Sequence, residues 1–491
     1  MVRFATIKTS LFYLISIGFI MLNLWFVVKK DLMVINALPF LLAIFLLAIF
    51  SFDKIIYLIV FFTPLSIPLH EIMPGFGFDM YLPTEPLLFG LLVLFFIKVL
   101  FERSFDRKIL LHPVSLAIYL NLLWILITSI TSTMPLVSFK FLLSRIWFIV
   151  GFYLLAAKLF SQGKNLEKYV LLYAIPLIVV VFYSTYRHLG YGLWDKQAAH
   201  FVVSPFYNDH TSYGAVLAMY IPFGVLFSFN KSFSAKMRLV ALGILAVLLL
   251  GFVLSYSRAA WLSLVVAVVV FAVIKLKIKF KTLALTFISV LVLLILFQQS
   301  IFMKLEQNSQ QSSANFTTHI SSISNITTDA SNLERINRWS CALRMFRDKP
   351  IFGYGPGTYM FKYAPYQLNK DRTIISTNSG DGGNSHSEYL GPLSESGVLG
   401  LITFLLIIGT VIYSGVSTYS RLTNSMLRSF TLTALISLVT YFVHGFLNNF
   451  LDTDKLSAPF WGFTAMIVAI DIYSRKTVEN KKSGLIFQPG Q

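Results

Sequence analysis

The sequence predicts an all-α polytopic membrane protein with about 12–14 transmembrane helices and one large outward-facing loop that carries short helices. Hydrophobic residues make up 56% of the 491 residues and charged residues only 13%, whereas a soluble domain carries about 25% charge. Apolar runs of roughly 17–25 residues, long enough to cross a bilayer as helices, recur along the whole chain. A transmembrane β-barrel would instead show alternating segments of about ten residues.

We identify about 14 candidate spans by length and apolar content. The first follows a short basic N-terminus. We do not interpret it as a signal peptide, because its apolar stretch is too long and has no small-residue cleavage site. The third contains Pro64 and Pro68, which predicts a broken segment. The candidates lie near residues 10–28, 32–50, 55–70, 83–101, 113–132, 142–160, 167–186, 211–229, 238–256, 260–276, 282–299, 397–416, 429–449 and 459–474.

Basic residues indicate which way the spans run. The formal net charge is +18, and most of the Lys and Arg residues fall in loops on one side of the predicted bundle. Because cytoplasmic loops are enriched in Lys and Arg, we place both termini in the cytoplasm. This distribution explains the charge without a nucleic-acid partner. The outward face then receives residues 187–210, 256–259, 300–396 and 450–458.

The same pattern divides the chain into five regions. Residues 1–200 form N-terminal transmembrane helices, and residues 201–300 form central helices that include a Ser-Arg motif. Residues 301–396 form the large outward loop, residues 397–475 the C-terminal helices and residues 476–491 a cytoplasmic tail. The chain contains one cysteine, so no internal disulfide can form.

The large loop begins with a polar, low-complexity stretch that we expect to be flexible. Order is predicted to return at Ser331, because Ser331 and Glu334 form a capping box that opens a helix to about Phe346. The sequence GYGPG at 353–357 follows and predicts a tight turn. It lacks the strand context of a dinucleotide-binding fingerprint, and the chain has no phosphate-binding loop motif, which argues against ATP as the energy source.

Arg258 lies in LSYSRAAWLSL, between two apolar spans with almost no loop. An arginine at such a position is costly and tends to be functional. The alternative is an arginine whose guanidinium reaches the lipid headgroups.

Arg335 is predicted to lie on the apolar face of the loop helix, with Trp339, Leu343 and Phe346. A guanidinium on that face needs an anionic partner, or it lies over Trp339 as a cation–π pair. Arg338, half a face away, is a second candidate.

His386 stands where a polar loop meets a hydrophobic span. Ser385 and Glu388 resemble a capping box, which would place His386 in the first turn of a short helix. The positive end of the helix dipole disfavours a protonated imidazole there, and a general base must be neutral. The alternative is a polar loop histidine without a role.

Further polar residues lie at the predicted outward ends of spans. Asn208 and His210 precede the eighth span. His444 and Asn448 share one helical face of the thirteenth span, and Asp452 follows in the next loop. A metal site could be imagined from Asp209, His210, Asp452 and Asp454, but no local ligand spacing supports one. We therefore predict neither a metal nor another cofactor.

Arg258, Arg335 and His386 share the outward face in this topology. Two arginines can hold a pyrophosphate through paired hydrogen bonds, and a neutral histidine beside them can take a proton from a hydroxyl. This combination suits the displacement of a lipid pyrophosphate by a sugar hydroxyl at the outer surface.

Four segments together resemble the O-antigen ligase and polymerase superfamily over about residues 200–460. The segments are SYSRAAWLSL at 255–264, ERINRWSCALRMFRDKPIFGYGPGTY at 334–359, HSEYLGPLSESGVLG at 386–400 and YNDHTSYGAVLAM at 207–219. The third matches the ligase pattern of a histidine, then Asn, Ser or Gln, nine residues and G-x-x-G, here His386, Ser387, Gly397 and Gly400.

The resemblance implies a metal-independent, inverting glycosyltransferase in the bacterial inner membrane, with its active site facing the periplasm. The donor would be a glycan on undecaprenyl pyrophosphate and the acceptor lipid A-core. The family's catalytic histidine falls on His386, and its arginines fall on Arg258 and Arg335. The family often has an acidic residue near the end of the penultimate span, and here Asn448 and Asn449 occupy that zone with Asp452 and Asp454 just beyond it, so this role is not assigned.

Three competing functions remain open at this point. A polymerase would use another lipid-linked repeat as acceptor, and a protein O-oligosaccharyltransferase would use a protein hydroxyl. A transporter of lipid-linked glycan could carry the same basic groove, but it should show internal repeats and helices broken at the midplane. The sequence shows no repeat, and its motif residues gather at one surface.

Overall fold

The computed structural model describes residues 2–30, 51–73, 80–102, 105–278, 330–369, 376 and 383–482, and it is mostly helical. Two candidate spans (32–50 and 282–299), the polar start of the large loop and the last residues of the tail lie outside these residues. The elements are α1 (Val2–Lys30), α2 (Phe52–Phe62), β1 (Ile67–Pro68), α3 (Leu69–Ile72), β2 (Tyr81–Leu82), α4 (Thr84–Glu102), α5 (Arg107–Leu110), α6 (Pro113–Ile130), α7 (Pro135–Ile149), α8 (Ala156–Leu159), α9 (Lys164–Leu189), α10 (Lys196–Ala199), α11 (His210–Phe229), α12 (Ala235–Leu254), α13 (Arg258–Lys275), α14 (Ala330–Asp348), α15 (Tyr359–Lys362), α16 (Leu390–Arg421), α17 (Ser425–His444) and α18 (Asp454–Lys482).

Within the described residues, ten helical segments are long and apolar enough to cross a membrane. They are Thr84–Phe101, Pro113–Ile130, Pro135–Leu159, Lys164–Leu189, His210–Phe229, Ala235–Leu254, Arg258–Lys275, Leu390–Arg421, Ser425–His444 and Asp454–Arg475. The Pro135–Leu159 segment joins α7 to α8 through a π-helical stretch, Val150–Leu155. Each segment corresponds to a predicted span, which confirms the multi-pass, all-α membrane fold.

The third candidate span does not form. Helix α2 ends in a 3₁₀ turn at Thr63–Leu65, where Pro64 cannot donate a backbone hydrogen bond. The chain then forms β1, which pairs antiparallel with β2 as a two-residue ribbon that the sequence did not predict. Helix α1 forms as expected, although its apolar part, Ser16–Lys29, is shorter than a full span. The chain forms two compact units, Met1–Leu58 and Ile59–Gln491, and the second unit contains the candidate site.

Among the ten spans described, α11 and α18 are the most deeply buried, with 83% and 94% of the residues in their most apolar stretch inside the protein. Their aromatic side chains pack directly, with the Phe223 and Phe463 ring centroids 4.7 Å apart. Tyr220 also stacks on Tyr173 of α9, at 4.7 Å and 11° between the rings. These contacts place the core around α11 and α18, with the more lipid-exposed helices outside.

Helix α18 contains a proline, Pro459, in its second turn. Proline has no N–H to donate to the carbonyl four residues earlier, which is that of Lys455. The Tyr173 hydroxyl donates to this carbonyl at 2.7 Å. The buried helix thus keeps its polar backbone satisfied inside an apolar bundle, as a membrane interior requires.

The described part of the large loop has a small core of its own. Cys341, Ala342 and Met345 of α14 are fully buried against Tyr359 and Tyr363. Helix α14 begins and ends close to the predicted limits, and GYGPG forms the predicted turn, with positive φ at Gly353, Gly355 and Gly357. Gly355 N donates to the carbonyl of Glu395 at 2.8 Å, so this turn docks onto the start of α16.

Helix α16 is kinked at Gly397, whose φ of 70° and ψ of −168° belong to a region that only glycine occupies readily. At the break, some backbone carbonyls lack a hydrogen bond from within the helix. Trp124 Nε1 donates to one of them, the carbonyl of Ser396, at 2.8 Å. Val398 N donates to Pro350 O at 2.9 Å. A Cβ at Gly397 would lie 2.0 Å from Ile351 O, and one at Gly400 would lie 2.7 Å from Pro392 O. The G-x-x-G pattern therefore serves a close backbone approach.

The kink yields a stability prediction. We expect Gly397→Ala to destabilise the protein by at least about 1–3 kcal/mol, because alanine is strained in this backbone region and its Cβ meets the carbonyl of Ile351. Gly409→Ala is the matched control on the same helix, since a Cβ there meets nothing within 4 Å. Thermal unfolding of the purified variants should show a lower transition for Gly397→Ala only. Equal transitions would contradict this explanation of the motif.

Candidate functional site

His386 adopts an unusual backbone conformation, with φ at 48° in the left-handed region. Few residues other than glycine occupy this region, and strained backbone often marks functional sites. Asn384 Oδ1 accepts from the backbone N–H of His386 at 3.0 Å, and Trp339 Nε1 donates to its carbonyl at 3.2 Å. The backbone of His386 is thus held at both its N–H and its carbonyl group.

The expected capping box at His386 is wrong. Helix α16 begins at Leu390, and His386 precedes it. Ser387 Oγ, rather than Ser385, accepts from the backbone N–H groups of Tyr389 and Leu390, at 3.2 and 3.3 Å. The helix dipole is therefore not what keeps the imidazole neutral.

Burial of the ring and the positive charges of Arg335 and Arg338 lower the pKa of His386 to about 4. The charges of Asp209 and Glu334 act in the opposite direction and do not outweigh them. The imidazole is consequently neutral over the whole physiological range, as a general base requires. The predicted protonation state stands, with a different physical cause.

Arg335 reaches the end of α17. Its Nε donates to the carbonyl of Leu447 at 3.2 Å, in the turn where Asn448 Nδ2 donates to His444 Nε2 at 3.1 Å. Both His444 and Asn448 are buried. Of the residues expected to support the site, Asn448 therefore lies in the turn that holds Arg335.

The predicted apolar face of α14 is wrong in detail. Asn337 and Arg338 are buried, whereas Leu343 is 42% exposed. The buried face is stabilised by polar pairs that periodicity cannot reveal, such as Asn337 Nδ2 donating to Gln367 Oε1 at 3.0 Å. Arg335 is partly exposed at the edge of this face, where a ligand can reach it.

Arg338 occupies a structural position. Its Nε donates to Glu334 Oε1 at 2.6 Å, and its guanidinium lies 3.9 Å from the centre of the Tyr363 ring. A Cβ at Gly383 would overlap the guanidinium, at 1.6 Å from Nη1. Arg338 therefore packs against the loop that carries His386, and its positive charge helps to lower the pKa of that histidine.

Arg258 is the first residue of α13 and is partly buried. Ser257 caps the helix, its Oγ accepting from Ala260 N at 3.4 Å. The neighbouring Ala259 backbone lies against the imidazole of His444. The helix end that carries Arg258 thus meets the α17 end that holds Arg335, and the structure brings both arginines to the same end of the bundle as His386.

Asp209 caps α11 through the backbone N–H of Thr211 at 2.9 Å, and its Oδ1 lies 2.9 Å from His210 Nδ1. Partial burial acts to raise the pKa of Asp209, but His210 and Thr211 outweigh it and hold the pKa below its usual value. The charge acts on both His386 and His444. Sequence reasoning considered Asp209 only as a metal ligand, although an Asp before an apolar run is a recognisable cap.

The remaining expected residues have partners other than His386. Asn208 Nδ2 donates to the Tyr81 hydroxyl at 2.8 Å, the ring of His210 packs on that of His200 with centroids 4.0 Å apart, and Asp452 is exposed in a turn before α18. Asp454 accepts from Ser66 Oγ at 2.6 Å. The four side chains imagined as a metal site are thus divided, and no group of three His, Cys, Asp or Glu suited to a metal occurs among the described residues.

Glu388 and Arg145 are site neighbours that the sequence analysis missed. Buried Glu388 accepts at Oε1 from the Tyr441 hydroxyl at 2.6 Å and from the backbone N–H groups of Phe450 and Leu451 at 2.7 and 2.9 Å. Arg145 Nη1 donates to Leu451 O at 3.0 Å. A lone arginine inside an apolar span was the available signal. Glu388 therefore ties the His386 loop to the turn after α17, and Arg145 ties that turn to α7.

The site lies largely within a recognisable family domain. Residues 243–405 match the family model described as O-antigen ligase. The matched segment contains Arg258, Arg335 and His386. Comparison with curated proteins gives no match. The family match supports membership of the O-antigen ligase superfamily, and it includes three of the four motif segments that predict it.

Proposed function

We propose, from the O-antigen ligase domain at residues 243–405, that the chain is a glycosyltransferase that moves a glycan from undecaprenyl pyrophosphate to a hydroxyl of lipid A-core. The observation that carries this proposal is the arrangement around His386. A neutral imidazole lies in the field of Arg335, at the bundle end where Arg258 also lies. This end faces outward in the topology that the basic loops predict, and the family resemblance implies that outward means the periplasm of a bacterial inner membrane.

The reaction assigns one proton transfer to His386. The imidazole takes the proton from the acceptor hydroxyl as its oxygen attacks the anomeric carbon, from the face opposite the pyrophosphate. The bond between the anomeric carbon and the pyrophosphate oxygen breaks, and its electron pair leaves with that oxygen. The configuration at the anomeric carbon is therefore inverted. The left-handed backbone at His386, held by Trp339 and Asn384, fixes the direction of the base.

The two arginines stabilise the charge that develops on the leaving group. Guanidinium groups match phosphate oxygens through paired hydrogen bonds and remain charged at every relevant pH. Because pyrophosphate is a good leaving group, this stabilisation provides the chemistry without a nucleotide or a metal. The Asp209 carboxylate, close enough to influence His386, offsets part of the positive charge and favours a hydroxyl over a second anion near the base.

Reconstituted membranes test the acceptor. We expect wild-type protein to transfer glycan from its lipid pyrophosphate carrier to lipid A-core, and His386→Ala to form no product, as followed by gel separation of the glycolipids. The control omits lipid A-core from otherwise identical membranes. Longer glycan on its carrier in that control would instead indicate a polymerase. Glycan on an added protein would indicate an oligosaccharyltransferase, and unmodified carrier moved across the membrane would indicate a transporter.

A further inference from the structure

A second charged site lies at the far end of the bundle from His386. Just after the C-terminal end of α6, Thr133 N donates to Tyr354 O of the large loop at 2.9 Å. His112 lies at the other end of this helix. At 1.5 Å per residue, α6 separates these ends by about 27 Å. Around His112 lies a cavity of about 400 Å³. This cavity plays no part in the proposed transfer.

The cavity is built around one buried carboxylate, that of Asp471. His112 Nδ1 accepts from Val114 N at 3.2 Å, so its Nε2 carries the proton and faces Asp471 Oδ2 at 3.2 Å. Thr418 Oγ1 donates at 2.8 Å and Arg475 Nη2 at 2.9 Å, and Arg421 Nη2 also donates. His112 and Asp471 are both buried, so this network is a fixed part of the fold.

The charges around the cavity do not balance. Among the described residues there, one carboxylate, that of Asp471, holds two guanidinium groups, those of Arg421 and Arg475. Exposed Arg107 and Lys108 add two further cations to the lining. The nearby Asp106 accepts from the Tyr473 hydroxyl at 2.9 Å. The described side chains therefore leave an excess of two positive charges, which attracts an anion.

The residues that line the cavity indicate which kind of anion it can bind. Three membrane spans contribute to the cavity, namely α6, α16 and α18. Leu111 and Tyr413 line it and are 67% and 73% exposed on the outside of the bundle, where lipid surrounds a span. Ser414 and Ser417 add hydroxyl groups beside them. A basic pocket between the ends of transmembrane helices, with an apolar wall open to lipid, has the chemistry that holds a phospholipid headgroup.

We propose that this cavity binds the phosphate headgroup of an anionic phospholipid in the leaflet opposite the His386 site. The phosphate lies between Arg107, Lys108 and Arg475, and the acyl chains pass over Leu111 and Tyr413. The Asp471 network holds Arg475 in place for this contact. The site is independent of the proposed glycan transfer.

Native mass spectrometry of the full chain in detergent tests this site by titration with phosphatidylglycerol or phosphatidylethanolamine. We expect one tightly bound phosphatidylglycerol. The double variant Arg107→Gln, Lys108→Gln should weaken it about 25-fold, since each basic side chain near an anionic headgroup contributes about a factor of five. The matched control, Lys231→Gln with Lys236→Gln, removes two exposed charges from another loop at the same end and should leave the affinity unchanged.

Three results would overturn the proposal. Equal losses in the two double variants would show a diffuse surface charge rather than a site. Equal affinity of the wild type for the two lipids would remove the preference for an anion. Displacement of phosphatidylglycerol by inorganic phosphate at the same concentration would show that the cavity takes a free anion instead of a lipid.

Discussion

His386→Asn is expected to lower kcat/KM of glycan transfer by about 10²–10⁴-fold, the usual contribution of a general base, while the protein folds like the wild type. Asparagine is the informative replacement because it tolerates the left-handed backbone that His386 adopts. It also has no group that can take the proton. His386→Ala adds backbone strain to the loss of the base, so the two variants separate chemistry from folding. Wild-type activity in His386→Asn would refute the assigned role.

The pH dependence distinguishes a base from a residue with a structural role. Because burial and Arg335 lower the pKa of His386 to about 4, the imidazole is about 90% neutral at pH 5, against about 3% for an unperturbed histidine. The base acts in its unprotonated form, so kcat/KM should stay level from pH 8 to pH 5 and fall as the pH drops through about 4. A fall centred near pH 6.5 would contradict the environment described for this ring.

The effect of the neighbouring arginine provides a control for this profile. Arg335→Gln removes one of the charges that lower the pKa of His386, so this pKa should rise. The fall of kcat/KM on the acid side of the pH profile, the acid limb, should therefore move to higher pH. Arg347→Gln removes an exposed charge from the same helix and should leave the limb in place. The same movement in both variants would indicate a general loss of positive charge instead of a local one.

The membrane spans were predictable from sequence because each depends on a local property, a continuous apolar stretch of sufficient length. The GYGPG turn and helix α14 were predictable for the same reason, since glycine spacing and a helix cap are local signals. Among the candidates that the structure describes, the first has an apolar part shorter than a full span, and the segment near 55–70 forms no span. There the two prolines predicted a break, but the ribbon between β1 and β2 depends on pairs of residues that lie 13 and 15 positions apart in the chain.

The site was predictable only in part, because its geometry depends on contacts between distant residues. Glu388 accepts from Leu451, 63 positions along the chain, and Arg335 donates to Leu447, 112 positions away. Periodicity placed Leu343 inside, whereas Leu343 is 42% exposed and polar pairing buries Asn337 instead. The neutral state of His386 was predicted for a wrong reason, because burial of the ring and the charges of Arg335 and Arg338 on α14 lower its pKa, and not the dipole of a helix that begins beside it.

Removing the guanidinium of Arg335 or Arg258 is expected to lower kcat by about 10²–10³-fold each, as at sites where one donor to a developing anion is lost. The substitution to lysine is the sharper test of Arg335. Its Nε already donates to Leu447 O, so a planar group can keep that bond and present its remaining N–H groups to phosphate. Lysine retains the charge but cannot do both. Arg335→Lys should therefore lose most of the activity that Arg335→Ala loses.

Coupling between the two arginines decides whether they act on one leaving group. If both contact the same pyrophosphate, the rates of the single variants and of the double variant Arg258→Ala, Arg335→Ala should be non-additive, because losing one contact already disturbs the other. Arg347→Ala, on the exposed side of α14, is the matched control and should combine additively with Arg258→Ala. Additive losses for Arg258 and Arg335 would mean that they act at separate places, and one of them would then belong to the acceptor.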